Sequence, residues 1–381
     1  MSIEPFHLER YFADFEFETP VLFGASDCET TSVGALLDLD PAARERFEAL
    51  PLSYTHSEGG REVRRAIAAS YPARVGEDDI LVHAAGVEVV TTLMLAALDP
   101  GDRVLVQAPC YQALRTAPEV AGAVVDRLET HPADGWRVTA EAVRAALTPR
   151  TRLVVLNSPH NPTGRVIEPS ELAAIADLCA ECGIRLFVDE AYRGTRFSGP
   201  IDEPSAVELG EHVAVLGLLS KGYGLPGLRL GWLVCRDREL RAAVERVKDY
   251  TTICAPAPSE FLAELAIRHR GVLLGRTRER LTTHLADLRE LLEARADLFE
   301  WVAPDAGPIT LPVVRPEAMK ALGTAGDREV AERLRTEAGV LVIPGALFDA
   351  PAPSLRIGYG RANFGDGLQR FGEWLDRVVP V

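Results

Sequence analysis

The chain has 381 residues, with 41 basic and 56 acidic side chains and a formal charge of −15 at pH 7. With 47% hydrophobic and 25% charged residues it has the composition of an ordinary globular enzyme, which excludes disordered, collagen-like and coiled-coil chains. The acidic balance, without a block of like charge, argues against nucleic acid or an anionic membrane as partner, and no apolar run reaches the roughly 18–20 residues that span a bilayer.

The first residues, MSIEPFHLERYFADFEFETP, carry Glu4 and Glu9 where a secretory signal carries Lys or Arg, so the expected location is cytoplasmic. REVRRAIAASY reads as an amphipathic helix. DDILVHAAG reads as a strand entering a Gly turn, with VEVVTTLMLAAL as the helix after it. DPGDRVLVQAP is a turn and a strand, and TRLVVLNSP is another strand. ELAAIADLCAECG is a helix closing at Gly183. Its Cys179 and Cys182 have no second pair at zinc spacing, so no metal site is expected and the six cysteines are read as free thiols. IRLFVDEAY, HVAVLGLLSKGYG and LRLGWLVC are three further strands. Short apolar strands alternating with helices predict an α/β fold: a mostly parallel sheet sandwiched by helices. Beyond about residue 256 a helical stretch leads into short strands (WVAP, ITLPVV, VLVIPG, LRIGYG) and two more helices, the pattern of a smaller α+β domain. The division expected is an N-terminal segment over 1–44, a large domain over 45–275 and a small domain over 276–381. The N-terminal segment is expected to pack on the small domain or on a partner subunit.

Ligands in such sheets sit beyond the carboxyl ends of the strands. Those ends carry Asn161 in NPTG, Asp189 and Tyr192 in DEAY, and Lys221 and Arg229 in SKGYGLPGLRLGW. The chain has three lysines, Lys221, Lys248 and Lys320; the last two sit in helical patterns and read as solvated. Only Lys221 stands at a strand end, where an amine can act as a nucleophile.

The three motifs, in this order, resemble the class I/II aminotransferases, pyridoxal-phosphate enzymes of fold type I, over roughly residues 50–365. The resemblance implies an aspartate aminotransferase-like fold, pyridoxal 5′-phosphate as cofactor, and an amino acid and a 2-oxo acid as substrates. It also implies a homodimer with shared active sites. Lys221 becomes the amine that bonds the cofactor and later moves the substrate α-proton. Asp189 becomes the carboxylate that keeps the pyridine nitrogen protonated. Tyr192 and Asn161 become partners of the cofactor's phenolate oxygen, and Tyr111 the ring stacked on the pyridine. The phosphate falls to Arg229, to the amides of Gly86 and Val87 at a helix N-terminus, and to Tyr54 of the other subunit. Arg356 in SLRIGYGRANF becomes the clamp for the substrate α-carboxylate, with Arg361 as its neighbouring competitor.

Two departures stand out. Val87 and Leu218 occupy positions where the family carries hydroxyls for the phosphate; Ser220 is a candidate replacement. The segment VLFGASDCETTSVGALL replaces the usual Gly-Pro-rich opening. It resembles a branch near capreomycidine synthases and pyridoxal-phosphate-dependent arginine oxidases. There, acids of this segment bind a cationic side chain, which marks Asp27 and Glu29, with Glu16 and Glu18 behind them. An acid ahead of a helix is also a helix cap. The leading expectation is amino-group transfer. The alternatives are cyclisation, oxidation or elimination on a cationic amino acid, or an idle protein of the same fold.

Overall fold

The computed structural model describes residues 3–72 and 74–379. The chain opens with α1 (His7–Phe15) and β1 (Val21–Leu22), then α2 (Val33–Leu37), α3 (Ala43–Glu48) and α4 (Arg61–Ala68). Alternating elements follow: β2 (Ile80–His83), α5 (Gly86–Ala97), β3 (Arg103–Ala108), α6 (Ala113–Val120), β4 (Val124–Glu129), α7 (Ala140–Ala146), β5 (Thr151–Asn157), α8 (Pro169–Glu181) and β6 (Arg185–Asp189). Then come β7 (Val213–Leu218), β8 (Gly231–Cys235), α9 (Arg238–Lys248), α10 (Ala257–Arg268) and α11 (Arg270–Ala294).

These strands form one seven-stranded sheet in the order β2-β8-β7-β6-β5-β3-β4. Only β8 runs against its neighbours; the remaining pairs are parallel. The sheet is buried on both faces because successive side chains alternate. Val154 and Leu156 pack with Ile67, Ile175 and Leu265 of α4, α8 and α10. Leu153 and Val155 pack with Val89, Leu114 and Leu240 of α5, α6 and α9. A strand buried on both faces must be apolar throughout, which is why these segments read as continuous hydrophobic runs.

The C-terminal part holds β9 (Phe299–Glu300), β10 (Ile309–Thr310), β11 (Val313–Val314), α12 (Pro316–Leu322), α13 (Asp327–Ala338), β12 (Val340–Leu341), β13 (Ile343–Pro344), β14 (Leu355–Gly358) and α14 (Phe364–Val378). It has its own core, in which Leu281, Leu285, Leu288 and Leu292 of α11 meet Phe371 and Trp374 of α14. Leu273, earlier on α11, belongs to the large core. The boundary expected at 275/276 therefore falls inside a helix that spans both cores. β1 pairs in parallel with β12, and Val21 and Phe23 enter the smaller core, while Leu36 and Leu37 enter the larger one.

The structure corrects two readings. Lys248 is not solvated: it is 0% exposed, and its amine donates to Ser57 O at 2.5 Å and Ile253 O at 2.6 Å. WVAP is not a strand; β9 ends at Glu300, ahead of it. β4 escapes the apolar pattern because it is the sheet's edge strand, with Val124, Arg127 and Glu129 turned outward; charge on an edge strand blocks unwanted pairing.

Candidate active site

The carboxyl ends of β5, β6 and β7 and the N-terminus of α5 border one cavity of about 390 Å³. Its other walls come from α1, from residues 25–27 and from the arginines at and beyond β14. Lys221, Asp189, Tyr192, Asn161, Tyr111 and Arg356 all line it, as do Gly86, Val87, Ser220 and Arg229.

Each polar group has a definable setting. The Lys221 amine donates to Ser26 Oγ at 2.8 Å; burial pulls its pKa below the ordinary lysine value, and the nearby Asp27 carboxylate opposes that. Asp189 ends β6, and its Oδ1 accepts from the Ala191 amide at 2.9 Å. Burial pushes its pKa up to about 6, against the pull of that amide and of Lys221. The Tyr192 hydroxyl is buried without a hydrogen-bond partner among the described residues, and burial raises its pKa. Asn161 Oδ1 accepts from Arg356 Nη1 at 3.1 Å. Arg356 also donates to Gly24 O at 2.8 Å and lies 4.8 Å from the centre of the Phe348 ring. Its Nε has no partner, and burial lowers its pKa to about 10. Buried polar groups left unpaired are costly, and here Tyr192 and Arg356 leave them in one polar cavity.

The end of the cavity expected to take a phosphate is less polar. α5 begins at Gly86 directly after Ala85, whose φ is 141°, a conformation that a side chain strains. The first amides of the helix have no intrahelical acceptor. Val87 and Leu218 both line the cavity, and Ser220 lines it with them. Arg229 takes a left-handed turn (φ 47°) and donates to Pro226 O at 3.1 Å.

Tyr54, expected in the site of a second copy, is 86% exposed and is not among the residues around its own chain's cavity. Two other expectations meet a different geometry. Asp27 lines the cavity, but Arg361 holds both its oxygens, Nε to Oδ1 at 3.1 Å and Nη2 to Oδ2 at 2.7 Å. Glu29 does not line the cavity; its carboxylate accepts from the Ala362 amide at 2.6 Å, just ahead of α14. The helix that follows Glu29 in sequence, α2, is capped instead by Ser32, whose side chain accepts from the Ala35 amide.

Sequence reasoning missed the contribution of α1. Leu8, Glu9 and Phe12 line the cavity, with Glu16, a candidate acid in the sequence, just beyond the helix, and Glu9 Oε1 accepts from the Tyr111 hydroxyl at 3.2 Å. Leu8 and Phe12 stand at helical spacing in HLERYFADF, and that periodicity was the available signal. Ser26 carried none.

Pyridoxal phosphate fits these residues: an amine for its aldehyde, a buried carboxylate for its ring nitrogen, an unpartnered hydroxyl, and a helix N-terminus with an arginine for its phosphate. Fold and site thus define a pyridoxal-phosphate-dependent transferase with the aspartate aminotransferase-like architecture. The pattern of the family "Aminotransferase class I and II" matches residues 49–364, and the chain belongs to that family.

Among curated proteins it is 33% identical to a capreomycidine synthase of Streptomyces vinaceus, over 97% of this chain and 93% of the relative. A crystal structure of a PLP-dependent aminotransferase from Streptococcus suis superposes with a TM-score of 0.91 at 25% identity, covering 100% of both chains. The PLP-dependent cyclase OrfR superposes at 0.87 with 30% identity, covering 99% of this chain and 98% of the other.

Proposed function

We propose that the protein transfers the amino group of an L-amino acid to a 2-oxo acid, and that the amino acid carries a cationic side chain. The observation that carries the transfer reading is the convergence of Lys221, Asp189, Tyr192, Asn161 and Arg356 on one cavity. When bound, pyridoxal phosphate supplies an aldehyde that takes up amino groups and a protonated ring that draws electrons from the substrate α-carbon.

The chain's residues do the rest. Lys221 holds the cofactor, and its amine, less basic through burial, is suited to take and return the α-proton. Asp189 keeps the ring nitrogen protonated; a carboxylate that burial makes reluctant to ionise gains most from a cation beside it. Tyr192 and Asn161 serve the phenolate oxygen. Arg356, set by Asn161 and Gly24, orients the substrate carboxylate and so selects the bond that breaks. Gly86, Val87, Ser220 and Arg229 hold the phosphate, with Tyr54 of a second copy.

The side-chain preference rests on charge. Since Arg361 neutralises Asp27, the acids left to meet a substrate cation are Glu9 and Glu16. Burial and Asp27 raise the pKa of Glu16, so an entering guanidinium or ammonium relieves a carboxylate held near others. Likeness to a capreomycidine synthase and to a PLP-dependent cyclase supports a second reading, ring closure on such a substrate.

The deciding experiment incubates the holoenzyme with single amino acids, with and without pyruvate or 2-oxoglutarate, and follows product masses. Amino transfer gives oxo-acid product only with an acceptor. A dehydrated or cyclised product without acceptor selects the second reading, and no turnover of arginine, ornithine or lysine overturns the side-chain preference.

A further inference from the structure

We propose that Ser26 is a positioning residue for the base: it holds the amine of Lys221 while that amine carries the substrate proton. The inference rests on the reading that Lys221 moves the α-proton.

The contact is direct, Lys221 Nζ to Ser26 Oγ at 2.8 Å, and joins groups far apart in sequence. What distinguishes it from a passing surface contact is how firmly the serine is held. Just ahead of it, Gly358 donates to Phe23 O at 2.8 Å and Arg356 donates to Gly24 O at 2.8 Å. Just after it, Arg361 clamps Asp27 through two bonds, and the Glu29 amide donates to Gly360 O at 2.9 Å. A Cβ at Gly358 would overlap Ala25 O, and one at Gly360 would come within 2.5 Å of Asp27 O. Segment 23–29 therefore lies flat against the end of β14, and the Ser26 hydroxyl is fixed on the cavity side. The same hydroxyl lies close enough to Tyr192 to favour its ionised form, though no bond of normal geometry reaches the Tyr192 oxygen.

The role follows from the proton's path. When Lys221 acts as base, the substrate α-C–H bond breaks, an N–H bond forms on the amine, and the electron pair passes to the bound cofactor. The resulting ammonium needs an acceptor to stay in place until it returns the proton. A hydroxyl oxygen serves that need without ionising, and the serine undergoes no covalent change. The charges that face Lys221 are Asp27, Glu9 and Asp189, which favour its proton, and Arg356, which opposes it. Ser26 adds a short-range acceptor with a fixed direction, which those charges lack.

The test measures exchange of the substrate α-hydrogen in D2O by proton NMR, using holoenzyme, an accepted amino acid and no oxo acid. Ser26→Ala should slow exchange about 10- to 100-fold, the loss of one charge-assisted hydrogen bond, with the cofactor absorbance and its binding unchanged. Ser26→Thr, which keeps the hydroxyl, should recover most of the rate. Because the chain has three lysines, ¹³Cε-lysine NMR of the full chain can follow the Lys221 amine itself, and Ser26→Ala should lower its pKa. An unchanged exchange rate and lysine titration in Ser26→Ala would overturn the proposal. So would equal loss of cofactor binding in the Ala and Thr variants, which would assign Ser26 to the fold. Absence of exchange in the wild type with every amino acid would instead sink the amino-transfer reading on which the inference stands.

Discussion

Asp189 sets function against stability within a single side chain. Its pKa is raised to about 6 by burial, against roughly 3.9 for an unfolded aspartate. The folded cofactor-free protein therefore binds the proton more tightly than the unfolded chain does, and ionised Asp189 costs stability above about pH 6. The cost fades as pH falls from 6 through 4 and is gone near pH 3, below both pKa values, where both states are protonated. We predict that Asp189→Asn stabilises the cofactor-free protein by about 2–3 kcal/mol at pH 7.5 and that the gain vanishes near pH 3, as read from urea midpoints across that range. Amide Oδ1 can still accept from Ala191, so the fold keeps that bond. Turnover should fall on the order of 10²-fold or more, since a neutral amide cannot hold the ring proton. A variant that is active, or no more stable than wild type at pH 7.5, contradicts this account. Residues of this kind were legible in the sequence because their chemistry demands a type at a place: an amine, a carboxylate and an arginine, each at or beside a strand end. Ser26 and Glu9 were not, since a hydroxyl or an acid in an N-terminal segment becomes functional only through contacts made across the fold.

Elements were legible where burial imposes a period and illegible where it does not. β5, β6 and β7 are apolar on both faces and could be read directly; edge strand β4 and cavity-lining α1 mix polar and apolar residues and were not assigned as elements. Lys248 misled for a related reason, since α9 is amphipathic and a lysine in its last turn normally meets water. Here the helix ends under a junction of two loops. The Lys248 amine ties Ser57 O to Ile253 O, Ser57 Oγ donates to Asp249 at 2.9 Å, and Thr55 Oγ1 donates to Ala255 O at 3.1 Å. Glu88, in the first turn of α5, accepts from Thr252 at 2.6 Å and so joins the same junction to the phosphate end of the cavity. Replacing the amine by a thioether removes the donor that two partly buried carbonyls share. Lys248→Met should therefore destabilise the protein by about 1–3 kcal/mol, seen as a lower denaturant midpoint at unchanged slope. A midpoint equal to wild type would show that water or a side chain satisfies those carbonyls. Burial lowers the pKa of Lys248.

At the scale of the molecule, the junction matters because of what it displays. Leu52 and Tyr54 on one loop are 85% and 86% exposed, and Tyr250 and Ile253 on the other are 93% and 51% exposed. Apolar side chains gathered on two tied loops have the composition of a contact surface, and we propose a second copy of the chain as its partner. Tyr54 is absent from the cavity of its own chain, while the phosphate end, with Val87 and Leu218 in its wall, is short of hydroxyl donors. A homodimer in which each Tyr54 enters the partner's site answers both observations. Each chain carries a formal charge of −15, so approach is opposed at long range, and added salt screens that repulsion. We predict that the dimer dissociation constant falls as ionic strength rises from 20 to 200 mM, roughly the range over which the Debye length shrinks from about 20 to 7 Å, as measured by sedimentation. The sharper test mixes two disabled chains, Lys221→Ala and Tyr54→Ala. A heterodimer contains one site with a native Lys221 and a native Tyr54 donated across the interface, and one site with neither. Random mixing makes about half the dimers heterodimers, so about a quarter of wild-type activity should return. If Tyr54 served its own chain, every site would keep one defect and mixing would restore nothing.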